Sequence, residues 1–183
     1  MESLNDIGKK VKDTVGFMNR ITTKQKNDLL IYLSKKIIEN KEKILMANRI
    51  DVENAIKNNV KQSLVDRLSL DENRINQMAE SLLKVADLDD PVGEIIEGKK
   101  LENGLEILKK RVPLGVIAII YESRPNVTLD AFSLCFKTSN CVILRGGSDA
   151  INSNIAITKV IKQSLKDFNI PEDIVYLIED TSR

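Results

Sequence analysis

Residues 112–147 constrain the fold more than any other stretch, because two short apolar runs flank a helical pattern there. The runs at 114–120 and 141–144 are rich in Val and Ile, as strands buried on both faces are. Between them, apolar residues at 128–137 recur at spacings of three and four, which predicts a helix. The stretch therefore predicts a β-α-β unit, expected to be right-handed, whose ligands bind where the strands end.

The residues after this unit extend it by another helix and strand. Ser148 is the predicted N-cap of a helix that runs to Asn169, and residues 174–178 form a third buried apolar run. The order β-α-β-α-β is half of a doubly wound parallel sheet, so the predicted fold class is α/β. Three parallel strands leave an edge open and their faces half covered. We therefore expect the front part of a longer protein, whose sheet edge aggregates or exchanges strands when isolated.

The chain before residue 89 is predicted to be helical throughout. Four apolar stripes at helical spacing indicate this, and such stripes face a core and carry no chemistry. They are Leu4, Ile7, Val11 and Val15; Leu29, Leu30, Leu33 and Ile37; Ile44, Ala47 and Ile50, with Ala55; and Ile75, Met78, Ala79, Leu82 and Leu83. Ser69 and Glu72 fit a capping box at the start of the fourth helix, which residues 89–91 end.

Asn103-Gly104 predicts a two-residue hairpin turn between extended segments at 95–101 and 105–112, because both turn residues tolerate a positive φ. A lone hairpin is marginally stable in water, so this one is expected to pack on another surface. The sequence thus divides into a helical segment at 1–90, a hairpin at 91–113 and a parallel-sheet unit at 114–183.

Composition excludes several classes of site and partner. The chain has no histidine and two cysteines, which rules out a Ser-His-Asp triad or a Cys/His zinc site within it, and no metal site is predicted. The net charge of +1 argues against a nucleic-acid surface. No apolar run is long enough to span a membrane, and the N-terminus lacks signal-peptide features. Two cysteines six positions apart do not indicate a disulfide framework, so a reducing cytoplasm is expected. Cys135 and Cys141 are predicted to be inert core residues.

Two loops at the carboxyl ends of the first two strands carry the candidate chemistry. Arg124 offers a planar fork for phosphate or carboxylate, and Asn126 offers an amide donor beside a helix N-terminus. The alternative is that Arg124 pairs with Glu122 or a neighbouring acid, and that Asn126 only caps the helix. In the second loop, residues 145–148 place two glycines at a helix N-terminus, which favours phosphate, although a purely structural turn is the alternative.

The amino-acid sequence of the central stretch resembles that of the gamma-glutamyl phosphate reductases, which belong to the aldehyde dehydrogenase superfamily. The segments YESRPNVT (121–128) and SNCVILRGGSDAINSN (139–154) carry the resemblance most specifically. The hairpin IIEGKKLENGLEILKKRVPLG, the terminal YLIEDTSR and, less sharply, the helical N-terminus also look like that family. The resemblance covers essentially the whole chain and implies an aldehyde dehydrogenase-like fold, in which residues 114–183 are the first half of an NADP-binding Rossmann-like domain.

The resemblance implies that the full-length protein reduces gamma-glutamyl phosphate to glutamate 5-semialdehyde and phosphate with NADPH, the second step of proline biosynthesis from glutamate. Ser123, Arg124 and Asn126 match the family's loop that faces substrate, where Asn126 is a candidate oxyanion donor. The cofactor loop of the family matches Arg145, Gly146, Gly147 and Ser148. The cationic Arg145 suits the 2′-phosphate of NADPH. The hairpin is an oligomerisation-type arm, so the resemblance also implies a homo-oligomer.

One departure from the family limits what this chain does alone. The family's nucleophilic cysteine lies in a second domain, within a motif absent from this sequence, and Cys135 does not substitute for it. These 183 residues are therefore expected to be inactive alone. An alternative is a non-catalytic binding module that keeps the front half of the fold and pairs its sheet edge and hairpin with a partner. A third alternative is a superfamily member with another acyl substrate. The resemblance of the segment YESRPN to the reductases argues against this alternative.

Overall fold

The computed structural model describes residues 3–181 as a layer of helices, an arm of two antiparallel strands, and a parallel sheet with two crossover helices. The helices are α1 (Leu4–Asp13), α2 (Val15–Met18), α3 (Thr23–Glu39), α4 (Lys41–Lys57), α5 (Gln62–Leu68), α6 (Glu72–Asp87), α7 (Asn126–Lys137) and α8 (Ile151–Asp167). The strands are β1 (Ile95–Lys100), β2 (Glu106–Lys110), β3 (Val116–Ile120), β4 (Cys141–Arg145) and β5 (Val175–Leu177). The predicted α/β class and element order are confirmed.

The apolar stripes of α3 and α6 pack the two helices together, and all of their predicted members except Leu83 are buried: Leu29, Leu30, Leu33, Ile37, Ile75, Met78, Ala79 and Leu82. Leu83 is exposed, so the prediction is wrong at that residue. The predicted capping box at Ser69 is wrong. Asp71 is the N-cap of α6 and accepts from the Arg74 amide at 2.7 Å, whereas the Ser69 hydroxyl donates to the Val65 carbonyl oxygen at 2.7 Å. Ser69 therefore serves the end of α5, and the nearer acid caps α6.

The stripe predicted for α4 is confirmed at Ile44 and Ala55, which are buried, but is wrong at Ile50. Ile44 is buried, but Ile50 is 48% exposed, and the buried side chains on the turns beyond Ile44 include Asn48 and Asp51. α4 packs against α8. The face that contacts α8 is thus partly polar, which a search for apolar periodicity does not detect.

Asp51 caps α8 from outside that helix. Its carboxylate accepts from the Asn152 and Ser153 amides at 3.1 and 2.7 Å, and from their side chains at 2.8 and 2.6 Å. The prediction that Ser148 caps this helix is therefore wrong, because Ser148 begins a 3-10 turn and α8 starts at Ile151. A buried carboxylate at this end satisfies the unpaired amides and complements the helix dipole.

Asn48 extends this polar contact to the link between α5 and α6. Its Nδ2 donates to the Leu68 carbonyl oxygen at 2.9 Å and to Ser153 Oγ at 3.0 Å, while its Oδ1 accepts from the Leu70 amide at 2.7 Å. The α5–α6 link is thereby fixed beside the N-terminus of α8.

The parallel sheet has the order β3-β4-β5, with Val116 opposite Cys141 and Val142 opposite Val175. β4 is central and largely buried, as predicted. β3 is not buried on both faces, since Ile120 is 80% exposed. Within the described residues β3 and β5 each pair with β4 alone, so the sheet has two edge strands where the sequence predicted one open edge. The third strand begins at Val175 rather than at residue 174, which lies in a 3-10 turn.

The hairpin of β1 and β2 turns over three residues, not the predicted two. Leu101 and Leu105 close the loop through a backbone hydrogen bond of 2.9 Å, and the Gly104 amide donates to the Leu101 carbonyl oxygen at 2.9 Å. Gly104 has a φ of +87°, whereas Asn103 is outside the positive-φ region, as in a type I turn followed by one left-handed residue. Every residue of both strands is exposed in the described part of the chain.

No helix within residues 3–181 combines the length and apolar character needed to cross a membrane.

Replacing Asp51 by Ala should lower the free energy of unfolding by about 2–4 kcal/mol, because it leaves buried amides of α8 without an acceptor. Chemical denaturation measures this change, provided that the m-value, the dependence of the unfolding free energy on denaturant concentration, is the same for both proteins. The exposed Asp13 provides the matched control, and Asp13→Ala should change stability by less than about 0.5 kcal/mol. An Asp51→Ala protein as stable as the control would contradict the capping role.

Candidate active site

The loops that follow β3 and β4 touch at one end of the sheet. The parallel pairing continues beyond β3, because the Tyr121 amide donates to the Arg145 carbonyl oxygen at 3.0 Å. A Cβ on Gly147 would lie 2.5 Å from Ser123 Oγ and 3.1 Å from the Ser123 amide nitrogen, so a side chain there would require Ser123 to move. The sequence predicted that this glycine lets a ligand approach closely, and in this structure its close neighbour is Ser123 of the other loop.

Gly146 lies over a buried chain of polar side chains. A Cβ there would collide with Asn154 Nδ2 and would lie 3.1 Å from the Tyr121 ring. Thr128 Oγ1 links these two residues, at 2.7 Å from Tyr121 Oη and 2.8 Å from Asn154 Oδ1. Burial raises the pKa of Tyr121, and the hydrogen bond to Thr128 opposes that shift. Side-chain space and buried hydrogen bonds therefore fix the position of the second loop relative to the first.

Arg124 and Asn126 do not form the contacts that the structural alternative predicted. Within residues 3–181, the Arg124 guanidinium forms no hydrogen bond or ion pair, with Glu122 or any other acid. Asn126 is the first residue of α7, and its Nδ2 donates to Asp130 Oδ2 at 3.1 Å rather than capping the helix. Burial raises the pKa of Asp130, and the hydrogen bond from Asn126 opposes this shift. Both side chains thus remain able to contact a ligand.

A cavity of about 360 Å³ lies between the first loop and helices α5 and α6. Its lining includes Arg67, Arg74, Arg124, Asn126 and Asp130, and we call it the arginine cavity. Its size falls within the range of small-molecule sites. Three guanidinium groups around one space favour an anionic ligand.

The arginines of α5 and α6 that line the cavity differ in their contacts with the rest of the protein. Arg74 donates to the carbonyl oxygen of Asp66 at 2.6 Å and to that of Ser69, so its guanidinium supports the α5–α6 link. Arg67 is exposed, and its guanidinium makes no hydrogen bond or ion pair within the described ranges. Arg67 is therefore available to an anionic ligand.

A second cavity, of about 410 Å³, opens between the two loops and α5. Among the predicted substrate residues it contains Ser123 and Arg124, and among the predicted cofactor residues it contains Gly147 and Ser148. Arg145 and Gly146 do not line it, and Arg145 is exposed at the end of β4. Arg67 and Arg124 line both cavities and so lie between them. A larger cavity of about 530 Å³ between α4 and α8 contains none of the predicted site residues.

Neither cysteine has the surroundings of a nucleophile. Cys135 and Cys141 are both buried, and burial raises the pKa of Cys135 to about 11. Burial also raises the pKa of Cys141, although a contact of 3.3 Å with Thr14 Oγ1 opposes the shift. A thiol with a raised pKa is a poor nucleophile at neutral pH. In the described part of the chain, no group of three acids, cysteines or histidines is arranged to hold a metal ion.

Sequence reasoning did not find Arg67, Arg74 or Asp130. The two arginines lie on helices whose apolar stripes indicated only a core, and the fold brings them to a loop some 50 residues away in sequence. Asp130 lies one turn beyond Asn126, so the i,i+4 pair was the one local signal that pointed to it.

Comparison with known proteins gives a consistent result, although no family model matches the chain. A gamma-glutamyl phosphate reductase from Caldanaerobacter subterraneus is 54% identical over 175 residues, which cover 96% of this chain and 42% of the relative. The crystal structure of such a reductase from Thermotoga maritima aligns with 47% identity and a TM-score of 0.96, over 100% of this chain and 44% of that one. The chain thus spans less than half the length of these relatives.

More distant structures share the fold alone. A propionaldehyde dehydrogenase from Clostridium phytofermentans aligns with a TM-score of 0.65 at 14% identity, over 100% of this chain and 38% of that one. A glyceraldehyde-3-phosphate dehydrogenase from Methanocaldococcus jannaschii, solved with NADP, aligns with a TM-score of 0.65 at 20% identity, over 95% of this chain and 35% of that one. The chain is therefore homologous to the N-terminal portion of the gamma-glutamyl phosphate reductases and has the fold of the aldehyde dehydrogenases.

Proposed function

We propose that the protein containing this chain reduces gamma-glutamyl phosphate to glutamate 5-semialdehyde and phosphate, with NADPH as the hydride donor. The observation that carries this proposal is the 54% identity to a reductase of that name over nearly the whole chain. The arginine cavity supports it, because Arg124 and Asn126 of the loop assigned to substrate line a space suited to an anion. The protein acts in the cytoplasm, as a biosynthetic enzyme of this type would.

The residues of this chain bind and orient the substrate rather than attack it. Arg124 lies where its guanidinium can hold the oxygens of the acyl phosphate. Asn126 keeps one N–H of its amide for the developing oxyanion after the other is donated to Asp130. The nucleophilic thiol comes from the part of the full-length protein that corresponds to the unmatched part of the relatives, since Cys135 and Cys141 are buried.

The second loop fits a nicotinamide dinucleotide. Ser148 and Arg145 are exposed at the carboxyl end of β4, so a hydroxyl and a guanidinium can reach ribose and phosphate oxygens there. Gly147 lines the adjoining cavity with backbone alone, which lets a ligand approach closely. When bound, NADPH supplies the hydride that reduces the acyl group. Arg145 then selects NADPH over NADH through the 2′-phosphate.

The activity test uses the full-length protein and the reverse reaction, in which NADP⁺ oxidises glutamate 5-semialdehyde and phosphate is incorporated to give gamma-glutamyl phosphate and NADPH. We expect the full-length protein to form NADPH only when phosphate is present. We expect no NADPH from the 183-residue chain, because neither of its two buried cysteines supplies the nucleophilic thiol. Absence of phosphate-dependent NADPH formation by the full-length protein would refute the proposed function. Turnover by the 183-residue chain would refute the assignment of the nucleophile.

Arg145→Gln in the full-length protein should raise KM for NADP⁺ by about 10- to 100-fold and leave KM for NAD⁺ nearly unchanged, because a charged hydrogen bond to the 2′-phosphate is lost. Steady-state kinetics with both cofactors measures this. Arg49, an exposed arginine on α4, provides the control variant Arg49→Gln, which should change neither constant. An equal loss with both cofactors would contradict the role of Arg145.

The hairpin favours a second function for this part of the protein, as an interaction module. Ile95, Ile96, Leu105, Ile107 and Leu108 are all about half exposed on an arm that leaves the rest of the chain. Apolar arms of this kind are typical of interfaces between subunits. We propose that the hairpin at residues 91–113 assembles the full-length protein into a homo-oligomer. In this proposal, residues 1–90 form a helical segment and residues 114–183 form part of the cofactor-binding unit.

Replacing Ile107 by Asp should reduce the oligomer of the full-length protein to smaller species, because it places a charge in a buried apolar interface. Light scattering after gel filtration measures the mass. Glu97→Asp on the same arm is the control and should leave the mass unchanged. An unchanged oligomer for both variants would remove the arm from the interface.

A further inference from the structure

The charges of the arginine cavity match more of the substrate than its acyl phosphate. We propose that Arg67 and Asp130 hold the amino-acid head of the substrate, Arg67 binding the α-carboxylate and Asp130 the α-ammonium group. This inference rests on the proposed function, because it assigns a further part of that same site. It places recognition of the amino acid partly on α5, in the helical segment to which the apolar stripes assigned no chemistry.

Arg67 is suited to the carboxylate by its chemistry and by its lack of other partners. Its planar guanidinium can bind a carboxylate through two parallel hydrogen bonds. Among residues 3–181 it forms no ion pair or hydrogen bond, whereas the neighbouring Arg74 is held by two carbonyl oxygens. Both bonds of Arg74 come from Nη1, so of these two arginines Arg67 is the one whose whole guanidinium makes no hydrogen bond or ion pair with another described residue.

Asp130 is suited to the ammonium group because its charge is incompletely compensated. It is partly buried and accepts a hydrogen bond from Asn126 at 3.1 Å, but within the described residues no cation pairs with it. A partly buried carboxylate without a cation carries a desolvation cost that a bound ammonium group would offset. Arg67 and Asp130 line the same cavity, so a ligand bound there can contact both side chains.

The backbone that carries Arg67 is held in place before any ligand binds. The residue after it, Leu68, is buried, and its carbonyl oxygen accepts from Asn48 Nδ2 at 2.9 Å. Arg67 also lines the cavity beside Ser148, so it lies between the amino-acid end and the cofactor loop. Because this backbone is already ordered, binding at Arg67 does not require ordering of the main chain.

The test compares variants of the full-length protein with three aldehydes in the phosphate-dependent reduction of NADP⁺. Glutamate 5-semialdehyde carries both head groups, 5-oxopentanoate lacks the amino group, and pentanal lacks both. Arg67→Gln should lower kcat/KM by about 10- to 100-fold for the first two and leave pentanal unchanged, because one charged hydrogen-bonded contact is lost. Asp130→Asn should lower it by a similar factor for glutamate 5-semialdehyde alone. Arg67→Lys should recover part of the loss.

The controls are Arg49→Gln and Asp13→Asn, which change the same residue types at exposed positions outside the site. Both should leave all three kcat/KM values unchanged. Equal losses with all three aldehydes for Arg67→Gln and Asp130→Asn, or no loss with any of them, would overturn the inference while the proposed function stands. A wild-type protein that forms no NADPH from glutamate 5-semialdehyde and phosphate would overturn the proposed function, and the inference with it.

Discussion

Two buried polar side chains of α4, Asn48 and Asp51, hold the helical layer against the end of the sheet where the site forms. Asp51 caps α8, and Asn48 ties the α5–α6 link to Ser153 of the same helix. Because α8 begins just after the β4 loop, this contact aligns α5 with both functional loops. The position of Arg67 beside Arg124 follows from that alignment.

The site itself combines close backbone packing with exposed charge. Gly147 brings the second loop against Ser123, which leaves the space above the strand ends to side chains from α5, α6 and α7. Arg67 and Arg124 separate the two cavities, so a single pair of cations can face substrate on one side and the cofactor loop on the other. In the proposed reaction, such an arrangement would bring a negatively charged acyl donor next to the hydride donor while the negative charges of both are compensated.

The parts of the fold that could be predicted from sequence are those set by local patterns. The two strand ends and the loops with Arg124 and Ser148 follow from apolar periodicity in neighbouring segments. The cap of α8 could not be predicted, because Asp51 lies 101 residues before Asn152. Arg67 was missed for the same reason, since a helical stripe shows which face is buried and not what a polar residue contacts. Gly146 was predicted to be part of the second loop, but its contacts with Tyr121 and Asn154 were not predicted.

The most direct test of this account is a crystal structure of the full-length protein with glutamate 5-semialdehyde and phosphate bound. We predict that the amino-acid head lies in the arginine cavity, with its carboxylate within hydrogen-bond distance of Arg67 and its ammonium group on Asp130. The phosphate should lie near Arg124. A ligand bound with its head outside this cavity, and with Arg67 and Asp130 contacting solvent, would contradict the account.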